Sequence, residues 1–241
     1  MSGSRSTGSI TQVKKMNSSV RYLPFVVAMA LVVVASNILV QFPVQGQLGS
    51  LQLADLLTWG AFTYPAAFLV TDLANRRYGP RMARRVVFIG FMTAVACSIV
   101  VPPLFYRYGL IEFGTAADRL ARIAAASGAA FLFGQLLDVT VFNWLRRQNW
   151  WRAPVFGSLV GSVIDTIIFF SVAFAPAFAF IGPSDDFALE MAPLFGVLHV
   201  EAARWLSWAL GDLSVKLLIA VFALIPYRII AARWSQQPVA A

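Results

Sequence analysis

The sequence predicts an all-α membrane protein, with six transmembrane helices in one bundle and both termini cytoplasmic. Three observations predict it. Only 12% of the 241 residues are charged and 59% are hydrophobic, whereas soluble domains carry about 25% charged residues. Six apolar runs reach the roughly 20 residues that a helix needs to cross hydrocarbon. The basic residues gather in alternate connections, the pattern that orients helices in a bilayer.

In order, the runs cover 22–42, 54–74, 84–106, 122–145, 153–181 and 203–227. They are too long for membrane strands and do not alternate with period two. Pro102-Pro103 is expected to end the third span. Pro65 and Pro176 fall inside the second and fifth, where a kink is tolerable if neighbours satisfy the freed carbonyl. Residues 1–21 form a polar N-terminal arm. No small-residue cleavage site follows the first run, so it reads as a retained helix and not a signal peptide. Residues 22–230 are then the membrane domain, and 231–241 a cytoplasmic tail.

Fourteen of the 19 Lys and Arg residues fall on one side. They are Arg5, Lys14, Lys15 and Arg21 in the arm, and Arg76, Arg77, Arg81, Arg84 and Arg85 after the second span. Arg146, Arg147 and Arg152 follow the fourth, and Arg228 and Arg233 follow the sixth. The opposite side includes the acidic stretch Asp185, Asp186 and Glu190. The net charge of +8 is thus explained by orientation, without nucleic-acid binding. The single Cys97 excludes an internal disulfide and a cysteine-based metal site.

Buried charge is the main pointer to function. A charged side chain near a bilayer centre costs about 3 kcal/mol or more unless it meets a partner or a wet cavity. Phe131, Gln135, Asp138 and Phe142 share one face of the fourth span, at i, i+4, i+7 and i+11. Ser158, Ser162, Asp165 and Phe169 repeat that spacing on the fifth. Trp205, Trp208, Asp212 and Lys216 share a face of the sixth, and Asp212 to Lys216 is the i, i+4 separation of an ion pair. The first span contributes Asn37 and the second Trp59. Asp138 and Asp165 have no basic residue within a turn of their own helices, so their partner comes from another helix, water or a ligand. Asp72 is expected to order the following loop with Asn75 and Arg76. Gly157 and Gly161 form a small-xxx-small repeat suited to close helix packing.

These residues suggest a carrier for a polar solute. Two other classes were weighed. An intramembrane acid-pair hydrolase would use Asp138 with Asp165, but G-x-S-x-G and H-E-x-x-H are both missing from the sequence. A scaffold would pair through the small-xxx-small face, leaving the aspartates unexplained. There is also no P-loop for ATP hydrolysis. No cofactor or metal is expected.

The ordered set of residues resembles a known family. Ser36-Asn37, Thr58-Trp59-Gly60-Ala61-Phe62, Pro65, Thr71-Asp72-Leu73 and Tyr78-Gly79 carry the first half. Ala121-Arg122-Ile123, Gly134-Gln135 with Asp138, Phe142-Asn143, Trp150-Trp151, Asp165-Thr166, Asp212 and Lys216 carry the second. Together they resemble the queuosine precursor transporter family, earlier described as vitamin uptake transporters. That resemblance implies a six-helix bacterial inner-membrane protein importing 7-cyano-7-deazaguanine and 7-aminomethyl-7-deazaguanine for tRNA modification. A carboxylate such as Asp138 or Asp165 would accept from the amine edge of a deazapurine. Asn37, Gln135 or Asn143 would donate to its carbonyl and ring nitrogen, and Trp59, Phe169 or Trp208 would stack on its ring. The expected partners are this small molecule, the lipid bilayer and a second copy of the chain in a homodimer.

Overall fold

The computed structural model describes residues 6–112 and 114–235, with side chains from residue 22 to 234 within them. Residues 1–5 and 236–241, which include Arg5 and the end of the expected tail, lie outside the described residues. The chain is mainly helical, and among the described residues five helical stretches are long and apolar enough to cross a membrane.

Helix α1 runs from Ser6 to Leu39, so the helix starts well inside the expected polar arm. The predicted second span, 54–74, is not one helix. Residues 53–55 form a short 3-10 turn, α2 covers Trp59–Thr63, and α3 covers Ala66–Tyr78. Pro65 causes the break. It has no N–H to donate, and the chain tightens there into i to i−3 bonds, Ala67 N–H to Tyr64 O at 2.9 Å and Phe68 N–H to Pro65 O at 3.1 Å. Gly79, at φ 83, then turns the chain into α4, Pro80–Arg107, with Pro80 at its first position.

Helix α4 passes through Pro102 and Pro103 to Arg107, further than the sequence predicts. Helices α5, Ala117–Leu145, and α6, Arg152–Phe174, follow as an antiparallel pair. Pro176 does not lie inside α6 as expected. It holds Ala175 extended, at φ −67 and ψ 140, and so ends the helix at Phe174. Short α7, Asp186–Leu189, precedes α8, Arg204–Phe222, which continues almost directly as α9, Leu224–Ser235.

Two small hairpins interrupt the all-α pattern. Strands β1, Gln47–Leu48, and β2, Leu51–Gln52, pair antiparallel, as do β3, Met191–Pro193, and β4, Glu201–Ala203. Both lie in connections at the same end of the bundle.

Glycine lets α5 and α6 approach closely. A Cβ on Gly161 would sit 2.9 Å from Gly134 O and 2.7 Å from a Phe68 ring carbon. A Cβ on Gly157 would come within 2.5 Å of Asp138 Oδ1. The small-xxx-small face is therefore spent inside the bundle, and the scaffold reading loses its docking surface. One apolar cluster, with Met29, Val33, Phe131 and Val139, fills the middle of the bundle. A second, with Leu73, Phe142, Leu145 and Tyr227, closes the end that carries the basic loops.

Candidate functional site

A cavity of about 630 Å3 opens toward the hairpin end of the bundle. That volume lies within the range of small-molecule sites. Its floor is polar and lined by Tyr64, Asp165, Asp212 and Lys216, while Asn37 and Ser98 lie on one wall. Phe169, Phe170, Phe174 and Trp208 supply aromatic walls, and segments 50–57 and 192–196 border the mouth.

Lys216 organises the floor. Its Nζ donates to Asp165 Oδ2 at 2.6 Å and to Thr166 Oγ1 at 3.2 Å, and lies 2.5 Å from Asp212 Oδ2. These three contacts use all three ammonium protons. Tyr64 donates its hydroxyl to Asp165 Oδ1 at 2.7 Å, and Thr166 donates to Asp212 Oδ2 at 3.0 Å. The ammonium also lies 5.0 Å from the Tyr64 ring centre. With both carboxylates ionised, this trio carries one net negative charge. Asp212 Oδ1 makes no hydrogen bond among the described residues, and Asp212 is only half-buried at the cavity wall.

The walls are held from neighbouring elements. Trp208 donates its indole N–H to Asp55 O at 2.8 Å, and its ring meets Phe174 edge-on at 5.5 Å. Asn37 donates to Val33 O at 3.0 Å and accepts from Ser98 at 3.1 Å, leaving one amide hydrogen uncommitted. Arg122 is fully buried. It donates to the carbonyls of Val172, Ala175, Gly182 and Pro183 at 2.7–3.1 Å, pinning the end of α6 and the chain after it. Arg119 pairs with Asp185 beside it.

Asn37, Asp165, Phe169 and Trp208 line this cavity, and the others expected to bind solute do not. Trp59 is 47% exposed on the outer surface, against Phe62. Asn143 is exposed near the opposite end of α5. Gln135 is fully buried away from the cavity, accepting from Thr71 at 2.6 Å. Asp138 is also fully buried, lies close to Asp72 and does not reach the cavity. Phe131, Gln135, Asp138 and Phe142 are all buried on α5, and Gln135 and Asp138 face α3 and α6 and not the open space. Asp138 and Asp165 therefore belong to different clusters and do not form an acid pair with each other.

Asp72 needs a second correction. It does not order the loop with Arg76. It is 2% exposed within the bundle, and Arg76 donates to Arg146 O at 2.8 Å instead. Asn75 donates to Val139 O at 3.1 Å. Sequence reasoning also missed Tyr64, Ser98 and Thr166 as polar groups of the site. Tyr64 stood beside Pro65, and a hydroxyl next to a helix break inside an apolar run was the available signal.

The profile of the family described as "Putative vitamin uptake transporter" matches residues 58–231. The chain belongs to this transporter family. Among curated relatives, the "Queuosine precursor transporter" of Escherichia coli (strain K12) is 38% identical over 200 residues, covering 81% of this chain and 79% of the relative. The "Probable queuosine precursor transporter" of Haemophilus influenzae is 35% identical over 205 residues, with the same coverages. That of Bacillus subtilis is 33% identical over 128 residues, covering 48% of this chain and 56% of the relative. No solved structure matches the chain significantly. The matched region of this family member includes every residue of the cavity floor, from Tyr64 to Lys216. A transporter family, apolar spans and a cavity at depth together make this a multi-pass membrane transporter.

Proposed function

We propose that this protein imports queuosine precursors, 7-cyano-7-deazaguanine and 7-aminomethyl-7-deazaguanine, across a bacterial inner membrane for tRNA modification. The reading rests above all on one observation: a cavity with aromatic walls ends on a half-buried carboxylate with an uncommitted oxygen, Asp212 Oδ1. A guanine-like edge presents two adjacent donors, and such a carboxylate accepts them. Trp208, one turn before Asp212, and Phe169 offer faces for the flat ring. Asn37 has an amide hydrogen for the ring carbonyl. The net negative charge of the floor suits the aminomethyl cation, and Lys216 limits that charge so that the neutral cyano form is also accepted.

The membrane domain, 22–230, crosses the bilayer six times in this reading, with α2 and α3 together forming a broken second span. Both termini face the cytoplasm, following the basic loops. The cavity then opens outward, and the Phe142–Tyr227 cluster closes the cytoplasmic end.

Binding of the two deazaguanines to the purified protein, by calorimetry and by thermal unfolding, tests the reading. Saturable binding with a raised melting temperature is the expected result. Binding of an unrelated vitamin with neither deazaguanine would overturn the substrate assignment.

A further inference from the structure

Below the cavity floor lies a second polar cluster that solute contact does not explain. Asp138 is fully buried, and neither of its carboxyl oxygens has a hydrogen-bond partner among the described residues. Asp72, from α3, lies close enough to interact with it and with Ser158, and keeps Oδ1 unpartnered among the described residues. No ion pair reaches either carboxyl among the described residues, because Arg76 and Arg146 bond each other's carbonyls and Lys216 is occupied by Asp165 and Asp212. Two adjacent carboxylates cannot both stay ionised in such surroundings without a cation.

A cavity of about 10 Å3 lies beside Asp72, lined also by Ser158, Ser162, Lys216 and Tyr227, and this is room for about one water. Tyr227, which lines it, is 1% exposed, and its buried hydroxyl has no hydrogen-bond partner among the described residues. Lys216 borders both this pocket and the large cavity. A cationic side chain bordering so small a space opposes a metal cation there. A proton is the cation that fits.

We propose that Asp72 and Asp138 form a shared proton-binding pair, separate from the solute cavity and linked to it through Lys216, which couples uptake to proton movement. The inference rests on the carrier reading above. When solute engages Asp212, the ammonium of Lys216 loses part of its carboxylate partnership and favours an ionised Asp72. The O–H bond of the pair then breaks, its electrons stay on the carboxylate, and the proton passes to water on the cytoplasmic side. Lys216 itself stays protonated. Around the pair, Lys216 and Tyr227 line the small cavity beside Asp72, and Arg76 and Arg146 lie near Tyr227; Asp165 and Asp212 hold the Lys216 ammonium, with Tyr64 bonded to Asp165.

Proteoliposomes holding the purified chain test this with labelled 7-cyano-7-deazaguanine. One proton per neutral solute lets a gradient of one pH unit, acid outside, drive up to about tenfold accumulation inside the vesicle. A sodium gradient at equal pH drives none. Asp138→Asn and Asp72→Asn abolish the accumulation, while saturable solute binding persists, because the solute contacts lie elsewhere, and varies less with pH than in the parent protein, because the linkage runs through the pair. Accumulation retained in both variants, or driven in the parent protein by sodium alone or by no gradient, overturns the proposal. A second readout needs no solute: the infrared C=O stretch of a protonated buried carboxyl, present in the parent protein and lost in Asp72→Asn/Asp138→Asn. If neither deazaguanine binds, the substrate reading fails while this band still reports on the pair. Its absence from the folded parent protein overturns the pair itself.

Discussion

Lys216 sits between two carboxylates with its three protons committed, so each partner's burial depends on it. Replacing it with an apolar side chain leaves Asp165 and Asp212 facing each other uncompensated. Lys216→Met is expected to cost about 3–5 kcal/mol, the penalty for breaking a buried pair. Thermal unfolding in detergent measures it, and an unchanged melting temperature would contradict the arrangement. Asp212→Asn tests the proposed solute contact separately. Lys216 keeps Asp165, so the fold survives, while affinity falls by about 1.5–3 kcal/mol, the worth of a charge-assisted bond. Trp208→Leu should weaken binding by about 0.5–1.5 kcal/mol through lost ring contact. Calorimetry reads both, and full affinity in both variants would remove the solute from this end of the cavity.

Between elements, the α5–α6 contact is set by hydrogen atoms. Gly161→Ala would place a methyl 2.9 Å from a backbone oxygen and 2.7 Å from the Phe68 ring. Phe68 is buried and the oxygen belongs to a helix, so neither gives way cheaply. A loss of about 1–3 kcal/mol is expected from this overpacking, read as a lowered melting temperature. Arg122 works at the other end of the same pair, holding four carbonyls after and within α6. Arg122→Gln cannot span them. Limited proteolysis within 175–190 should then become faster than in the parent protein, and an unchanged rate would deny the latch.

For the whole molecule, orientation is the matter to test. In a Cys97→Ser background, a membrane-impermeant maleimide should label Glu201→Cys in intact cells and Arg84→Cys only after permeabilisation. Both positions are exposed in the structure. The reverse pattern would invert the molecule and put the cavity mouth on the cytoplasmic side. Much of the architecture was legible beforehand, because a run of apolar residues long enough to span leaves few alternatives to helix. The first, third, fourth and sixth runs match α1, α4, α5 and α8–α9 within a few residues at most ends. The second run did not survive intact, since a missing donor at Pro65 splits it. Nor do two-residue strands such as Gln47–Leu48 and Leu51–Gln52 leave a period to detect.

The sequence by itself determined that polar and aromatic residues share helix faces, since 3.6-residue periodicity is local, and that Asp212 and Lys216 lie one turn apart. Only the tertiary structure decided what each face meets. It joined Asp165 to Lys216, set Asp138 against Asp72, and left Trp59 and Asn143 outside. The physical reason is rotation: spacing along a chain states which residues look the same way, but the direction of that gaze follows from how whole helices pack. Close approach at Gly134, Gly157 and Gly161 sets that packing for α5 and α6.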